Sequence, residues 1–451
     1  MDTLSGRDAG DGWTRLQGGF RGDWQLAPRD DVTVQGDWFR NRANQNRATF
    51  FVDLPGSNWF SEPVRAIGGN VLGRWTHTSR SGAETAVQVY FDDYHRVDMG
   101  STECYRGTDI DLQHHFTAGD RHDLLIAAGY RTTRTAFGLQ GVTTVEPAKR
   151  TDRLYSAIAQ DEIHVADGVW LTAGSKFEHN SYTGFEFEPS LRLAWTPGQR
   201  HTLWAAAARA VRQPSRAEAG ARTTLAIIPL DASTEWALTL SGNPGIQSER
   251  MRDIEAGYRA QWSRTLSLDL AAYYSRYHAL LMLDDQPAIT ELRGNVGRVI
   301  QSLRYGNSGK AASYGGETSL SWTPFARWRL VGGYANLHVN SGANPDANPK
   351  FGMLSGNYAP RHVVQFRSFL NLTRRLEWDQ WFSTQSRFAD ARTAGHTRID
   401  TRLAWRLGER LEISLVGQNL YRPGYIEFAE NSWIISSSSR RSIFGKVAWT
   451  F

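Results

Sequence analysis

The residues able to do covalent chemistry do not stand in a familiar catalytic spacing. The sequence has no GxSxG nucleophile elbow, HExxH metal motif, phosphate-binding P-loop or CxxC pair. Its one cysteine, Cys104, has no partner for an internal disulfide. The adjacent His114 and His115 would point to opposite faces of a strand, which makes them a poor chelate. We therefore predict that the chain is not an enzyme and that it uses neither a metal nor a cofactor.

Residues suited to noncovalent binding of an anion are more frequent. Arginine greatly outnumbers lysine, and arginine, histidine and aromatic residues recur near predicted strand ends and in the longer connections. Guanidinium groups bind anions through paired hydrogen bonds, and aromatic rings stack on planar groups. The candidate ligand-binding residues are Trp59, Phe60, His95, Arg96, His179, Arg216, Arg222, His338, Tyr425 and Trp433. For any one of them the alternative is a structural role at a membrane interface or in solvent.

A long series of β-strands is predicted to hold these residues in place. Leu266, Leu268 and Leu270 alternate with Ser267 and Asp269, and a period of two with one apolar and one polar face predicts a strand between two different solvents. About nineteen such strands follow one another from Trp13 to Phe451. Short turns alternate with longer connections, of which we expect Asn44–Val64 to be a long loop and Pro214–Ser248 the longest.

Composition favours a barrel in a membrane. The 451 residues show no linker, hydrophobic residues make up 40%, aromatic residues 12%, and the mean hydropathy is −0.48. Low total apolarity with many aromatic residues is typical of a transmembrane β-barrel with a wet lumen and aromatic girdles. The apolar runs are far shorter than the roughly 18 residues of a transmembrane helix. A β-propeller is the alternative, although no repeat of about 40 to 50 residues is visible. The net charge of +5 is spread evenly and does not indicate a nucleic-acid surface.

Several short motifs resemble the barrel of TonB-dependent outer-membrane receptors, in matching order. The first group is ARAVRQPSRAE at Ala208–Glu218, GNP at Gly242–Pro244, Glu249, and EAGY at Glu255–Tyr258. The later group is RYGNSGK at Arg304–Lys310, YGGE at Tyr314–Glu317, PRH at Pro360–His362 and QNL at Gln418–Leu420. The resemblance covers essentially the whole chain, residues 1–451, as one all-β, antiparallel barrel domain.

The resemblance also implies which residues shape the wall. The motif positions are expected to set strand register and to pack the wall against the lumen, and they are Arg212, Pro214, Arg216, Glu249, Glu255, Asn307, Glu317 and Asn419. At the C-terminus Ile443, Val447 and Trp449 alternate up to Phe451, which resembles the signal read by the outer-membrane assembly machinery. Trp449 and Phe451 are its candidate residues, and an ordinary edge strand is the alternative.

Strand direction predicts a truncated barrel. If the short turns are periplasmic, the first and the last strand both run toward the periplasm. The family is expected to have about twenty-two strands with the first running outward, so this chain would begin at the fourth. Residues 1–12 also have no features of a signal peptide. We therefore expect the plug domain and about three strands to be missing from this chain.

The resemblance implies uptake of a scarce, bulky nutrient across the outer membrane of a Gram-negative cell, most often a ferric siderophore. In the full-length protein the inner-membrane complex of TonB, ExbB and ExbD would energise transport through the N-terminal region. Other expected partners are outer-membrane lipid and lipopolysaccharide, the barrel assembly machinery and a metal chelate or other small molecule, with the protein a monomer. A passive porin or a surface adhesin barrel is the alternative function.

Overall fold

The computed structural model describes residues 2–3, 12–50, 57–98, 101–138, 143–294, 296–342, 359–388, 393–426 and 437–450. Within them one antiparallel sheet curves into a barrel whose wall has nineteen strands. In chain order these are β1 (Trp13–Ala27), β2 (Asp30–Phe50), β3 (Ser57–Thr78), β4 (Glu84–Asp98), β5 (Ser101–Ala118), β6 (His122–Gly138), β7 (Lys149–Ala166), β8 (Val169–Asn180), β9 (Gly184–Trp195), β10 (His201–Arg212), β11 (Glu249–Ser263), β12 (Leu266–Asp285), β13 (Val296–Phe325), β14 (Trp328–Gly342), β15 (His362–Asn371), β16 (Leu376–Gln385), β17 (His396–Leu407), β18 (Leu411–Gln418) and β19 (Ser442–Trp449).

Each wall strand pairs with its neighbours in the sequence, so the predicted strand series and its count are confirmed. In the described residues β1 pairs only with β2, and β19 pairs only with β18. Both of these strands run from the long-loop end of the barrel to the short-turn end, as the parity of nineteen strands requires. The expectation of further strands between them stays a prediction.

The predicted two-faced strands are present. On β12 the Leu270 and Tyr274 positions face outward, and Tyr274 is 40% exposed. The Asp269 carboxylate faces the lumen and accepts a 2.7 Å hydrogen bond from Nε of Arg259 on β11. Apolar side chains therefore cover the membrane face, while polar and charged ones line the interior.

The two ends of the barrel differ as predicted. Short turns join β1 to β2, β7 to β8 and β11 to β12, and Gly168 in the second of these has a positive φ of 71°. A two-residue turn favours such a residue because glycine adopts this conformation without steric penalty. Longer connections lie at the opposite end, which short periplasmic turns identify as the extracellular end.

The prediction of a long loop at Asn44–Val64 is wrong. Strands β2 and β3 stay paired well beyond the membrane, up to the register pair of Phe50 with Ser57. In water both faces of a hairpin can be polar, so the alternation of apolar residues disappears although the backbone ladder continues. The sequence pattern therefore ended the strands too early.

The connection Pro214–Ser248 is also more ordered than a loop. It contains the helix α1 (Arg216–Gly220) and two strands, Ala221–Pro229 and Thr234–Ser241. Thr234–Ser241 pairs in parallel with the outer part of β13. The remaining short strands of the described residues are Asp2–Thr3, Thr143–Val145, Ile289–Arg293, Gly424–Ile426 and Ser437–Arg440.

A small apolar cluster fixes this outer layer. Ala219 of α1, Ile246 and Leu281 are buried together, and Tyr182 and Tyr305 pack against them. Burial of apolar side chains contributes about 25 cal/mol for each Å² removed from water. The cluster thus packs the outer layer against the extracellular ends of β12 and β13, which contribute Leu281 and Tyr305.

No helix of the described chain is long and apolar enough to cross a membrane, and α1 has five residues. At the other end of the chain, β19 exposes Ile443, Val447 and Trp449 on its outward face. Phe451 lies outside the described residues. The assembly signal at Trp449 and Phe451 stays a prediction.

Two motif glycines are explained by close contacts inside the wall. A Cβ at Gly257 would overlap the indole ring of Trp204, and a Cβ at Gly315 would overlap the backbone carbonyl oxygen of Asn336. An indole can turn away, but a backbone carbonyl in a ladder cannot move without breaking hydrogen bonds. Gly315 is therefore the less replaceable of the two.

We expect Gly315→Ala to destabilise the barrel by about 1–3 kcal/mol, because the added methyl group forces the β13–β14 pair apart. Gly332→Ala is the matched control on β14, since a Cβ there has no heavy atom within 4 Å and the substitution also restricts the unfolded chain. The melting temperature of each purified variant measures the difference. Equal melting temperatures for the two variants would contradict the steric explanation.

Candidate functional site

A hydrogen-bond network at the extracellular end of the barrel joins the outer layer to the wall. Arg212 ends β10, and its Nε donates to Oε2 of Glu249 on β11 at 2.6 Å. Its Nη1 donates to Oε2 of Glu218 in α1 at 3.2 Å. The other Glu249 oxygen accepts from the backbone N–H of Leu281 at 2.7 Å. One guanidinium thus holds α1 and two strands together. We call Arg212, Glu218 and Glu249, together with the neighbouring anchor residue Asn307, the mouth network.

The start of α1 is built to present its acid to this network. Ser215 is the N-cap, and its Oγ accepts from the backbone N–H of Glu218 at 3.2 Å. The Glu218 carboxylate in turn accepts from the backbone N–H of Ser215 at 2.7 Å. Such a capping box satisfies two helix N–H groups that have no partner within the helix. Pro214, directly before it, is buried.

Asn307 is the second anchor of the mouth network. Its side chain accepts from the backbone N–H of Gln247 at 2.7 Å and donates to the Gln247 carbonyl oxygen at 3.0 Å. It also donates to the carbonyl oxygen of Ala279 at 2.8 Å, where φ is +56° and the β12–β13 register shifts. Asn307 therefore ties the end of the Pro214–Ser248 connection to an irregularity in the wall.

The other motif residues have different surroundings. Glu255 lines a recess of about 590 Å³ in the lumen wall, and Glu317 lines another of about 480 Å³. Asn419 has a φ of +53°, and its backbone N–H donates to Asp400 at 2.8 Å. Its side chain donates to the Ser439 carbonyl oxygen at 2.9 Å. Asn419 thus closes the bend that follows β18.

A cationic and aromatic cluster lies beside α1. The Cζ of Arg150 lies 4.3 Å from the ring centroid of Tyr182, and the Tyr182 hydroxyl donates to Asp152 at 2.8 Å. Burial, with the Asp152 carboxylate as a second cause, raises the pKa of Tyr182. Arg216 donates from Nη2 to the Pro147 carbonyl oxygen, while its Nε and Nη1 are enclosed and have no hydrogen-bond partner among the described residues. The enclosed donors place Arg216 inside the packing of the outer layer.

The mouth also contains a polar pocket of about 320 Å³. Arg398 on β17 is 38% exposed there and is ion-paired with Asp400 at 2.7 Å. Tyr425 stacks on His396 with ring centroids 3.9 Å apart. We call this space the mouth pocket, and its lining residues are Arg398, Gln418, Asn419, Tyr425, Ser438, Ser439 and Arg440.

Of the candidate ligand-binding residues, three histidines share the outward-facing register. His95 lies on the same face of β4 as the exposed Phe91, and His179 lies on the same face of β8 as the exposed Phe177. His338 stacks on the exposed Tyr314, with ring centroids 5.0 Å apart. Their strand positions separate them from the lumen, as expected for a membrane-interface girdle. The three histidines are not among the residues that line the mouth pocket.

The remaining candidates are distributed along the mouth. Arg96 is ion-paired with Asp98 at 2.6 Å, and Arg222 is exposed in the strand Ala221–Pro229. Tyr425 lines the mouth pocket. The side chains of Trp59 and Phe60, and all of Trp433, lie outside the described residues.

Sequence reasoning missed Arg398 and Arg440 in this pocket. They are 42 positions apart, and no sequence motif connects the two positions. The sequence does contain one signal: Arg398, Asp400 and Arg402 occupy every second position of β17. They therefore form a row of charged side chains on the lumen face that extends to the mouth.

Comparison with known proteins identifies this architecture. The family described as TonB dependent receptor-like, beta-barrel, matches residues 2–420. The siderophore receptor PirA from Acinetobacter baumannii has a TM-score of 0.77 at 14% identity, covering 98% of this chain and 71% of that one. The ferric-catecholate import receptor Fiu from K12 E. coli gives 0.72 at 12% identity, with 98% and 76% covered.

Two comparisons concern a ferric enterobactin receptor of Pseudomonas aeruginosa. A variant of that receptor, PfeA, in complex with enterobactin has a TM-score of 0.73 at 14% identity, covering 97% of this chain and 70% of that one. A curated ferric enterobactin receptor from this organism is 36% identical over 63 residues, 14% of this chain and 8% of the relative. The matched segment is thus less than a tenth of the relative's length. The family match over residues 2–420 shows that the chain belongs to the TonB-dependent receptors of the Gram-negative outer membrane and forms their β-barrel wall.

Proposed function

We propose that the chain is the barrel of a receptor that takes up an anionic metal chelate of the ferric siderophore type and binds it at the mouth pocket. The observation that supports this most directly is the composition of the pocket. Two guanidinium groups, Arg398 and Arg440, stand with the ring of Tyr425 around one cavity. Arginine offers charge and paired donors to catecholate or carboxylate oxygens, and the aromatic ring offers a stacking surface.

The charge of the pocket favours an anion. The arginines contribute two positive charges, and Asp400, which pairs with Arg398, contributes one negative charge. Gln418, Asn419 and Ser438 add neutral hydrogen-bonding groups. Among the residues that line the pocket, the charged side chains are thus the two arginines, and a charge-assisted hydrogen bond to one of them is worth about 1.5–3 kcal/mol.

The outer layer supports a receptor function in a second way. The mouth network and the apolar cluster around Ile246 hold α1 and its flanking strands against the wall. A preorganised mouth lowers the entropy cost of ordering residues around a ligand. This rigidity suits specific capture at the surface of the cell.

The expected partners complete the proposal. Transport would be energised by TonB with ExbB and ExbD through an N-terminal plug region, and the wall would contact outer-membrane lipid and lipopolysaccharide. The barrel assembly machinery would insert the protein, which would act as a monomer. The structural neighbours include a siderophore receptor and a ferric-catecholate import receptor, which supports a chelate of this class.

Arg440→Gln is expected to weaken binding of a trianionic ferric tris-catecholate by about tenfold or more, because one charged hydrogen-bond donor is lost. Arg422→Gln is the matched control, since Arg422 is exposed on the same connection and does not line the pocket. Quenching of tryptophan fluorescence in the purified full-length receptor gives the dissociation constants. An uncharged ferric tris-hydroxamate serves as the comparison ligand, and its affinity should change little. The proposal fails if the tris-catecholate binds both variants equally.

Arg212→Gln is expected to loosen the outer layer while leaving the barrel folded. Glu218 and Glu249 would lose their shared ion-pair partner, so local opening of residues 213–248 should become several-fold to about tenfold more frequent. The rate of limited chymotrypsin cleavage within this segment measures the opening. Arg222→Gln removes an equal charge from the segment and should leave the rate unchanged. Equal cleavage of the two variants would show that the mouth network does not hold the layer.

A further inference from the structure

The outward face of the wall carries a group of basic side chains near its extracellular boundary. Arg252 on β11 stands directly opposite Arg276 on β12, and Arg250 stands opposite His278. His278 is in turn paired in register with Lys310 on β13. All five side chains are exposed, and we call them the basic patch.

Their outward direction follows from the alternation along each strand. Arg252 has the parity of Ile254, which is 63% exposed on the membrane face. Arg276 has the parity of Tyr274, and Lys310 that of Tyr314 on β13. The residues of opposite parity, such as Asp253 and Ser275, are buried against one another on the lumen side.

Among the described residues, the hydrogen-bond acceptors of the basic patch are neutral groups. Arg276 donates from Nε to the Tyr274 hydroxyl oxygen at 2.9 Å, and Arg250 donates to the Gln247 side-chain oxygen at 3.5 Å. Both acceptors are neutral, and no carboxylate of the described residues forms an ion pair with any residue of the patch. Like charges directly opposite on paired strands repel each other. The arrangement therefore calls for an external anion.

The contrast with other arginines strengthens this point. Inside the lumen, Arg131 pairs with Asp109 at 2.5 Å, and Arg402 pairs with Glu412 at 2.5 Å. On β10, Arg209 is in register with Arg252, but it lies 3.7 Å from the Glu186 carboxylate. These three arginines thus have acidic partners, whereas Arg252 and Arg276 face outward together without a carboxylate partner in the described part of the chain.

The height of the patch matches the boundary of the membrane. Ten residues separate Arg252 from Trp262, near the short turn of β11. At about 3.3 Å per residue and a tilt of about 45°, they span roughly 23 Å of height, close to the apolar band of about 25 Å in outer-membrane barrels. With the Trp262 indole at the periplasmic interface, Arg252 lies at the headgroups of the outer leaflet.

The same strands lack outward cations at their other end. There the outward positions are occupied by Trp262, Leu266, Leu320 and Trp322. A second outward pair, Arg42 on β2 opposite Arg65 on β3, also lies in the extracellular half of the wall. Outward arginine pairs are therefore found at the outer-leaflet side of more than one hairpin.

We propose that the basic patch is a binding site for the phosphate groups of a phosphorylated glycolipid in the outer leaflet. A phosphate between Arg252 and Arg276 would accept from both guanidinium groups and cancel their repulsion. Tyr274 and Ile254 below them would contact the acyl chains. The inference rests on the proposed contact with outer-leaflet lipid and is independent of what the mouth pocket binds.

The test uses the full-length receptor in neutral detergent, titrated with lipid A, with enzymatically dephosphorylated lipid A and with a zwitterionic phospholipid. Native mass spectrometry gives the affinity for each lipid. The double variant R252Q/R276Q is expected to bind lipid A about tenfold or more weakly, and to bind the other two lipids unchanged. R264Q/R327Q is the matched control, because it removes two arginines from short turns at the opposite ends of the same strands.

A second measurement is the melting temperature, for which the expected effect of the substitution has opposite signs with and without lipid. In neutral detergent without lipid, R252Q removes a repulsive pair, so its melting temperature should be equal to or above that of the natural protein. With lipid A present the order should reverse, because the natural protein gains more from the phosphate. R250Q/K310Q provides an independent pair if R252Q/R276Q does not assemble, with a loss of lipid A affinity of several-fold expected.

The proposal is overturned if the natural protein binds phosphorylated and dephosphorylated lipid A equally, or if the patch variants bind lipid A as tightly as R264Q/R327Q. Ferric tris-catecholate binding by the same variants should remain unchanged. A loss of lipid affinity with intact chelate binding separates this site from the mouth pocket. A loss of chelate binding alone would concern only the proposed function.

Discussion

Backbone hydrogen bonding in an environment without water is the constraint on which the rest of this structure depends. Each N–H and C=O group left unpaired in a membrane costs several kcal/mol, so a chain that crosses as strands must pair every strand with a neighbour. Antiparallel ladders between sequence neighbours satisfy this on both edges of β2 to β18, whereas β1 and β19 each pair on one edge within the described residues. Register is then no longer free, because a shift by one residue would turn every apolar side chain of a strand toward the lumen.

Fixed register divides the chemistry of the wall between two faces. Inward residues can be charged because they meet each other and water, as Arg402 does between Glu377, Asp379 and Glu412. Outward residues are apolar through most of the membrane, and the basic patch begins where the apolar band ends. The two faces can therefore serve the two proposed functions independently, chelate binding on the lumen side of the mouth and lipid binding on the outside.

Beyond the membrane the backbone is in contact with water, and side-chain interactions replace the backbone ladder as the main determinant of the structure. Water can satisfy any backbone group there, so the ladder alone no longer determines a unique structure. Side chains take over that role through Arg212, Glu249 and Asn307, together with the apolar contacts of Ile246 and Leu281. Arg212, Glu249 and Asn307 are among the motif positions, and their contacts in this structure hold the outer layer to the wall.

The sequence by itself determined the number of wall strands, their order and their two faces. These features follow from local alternation and turn residues, as in Leu266 to Tyr274 and the short turn before β12. It did not predict the extension of β2 and β3 past Asn44, because the alternation ends where both faces meet water. It also did not predict the helix and the parallel strand pairing within Pro214–Ser248.

Only the tertiary structure decided which residues form sites. Arg398 and Arg440 are brought to one pocket, and Arg252 and Arg276 to one rung, by strand register that no local pattern encodes. The same register places His95, His179 and His338 on the membrane face, although their positions near strand ends suggested ligand contact. Proximity along the chain fixes the face of a residue within its strand, whereas its partners depend on the pairing of strands distant in sequence.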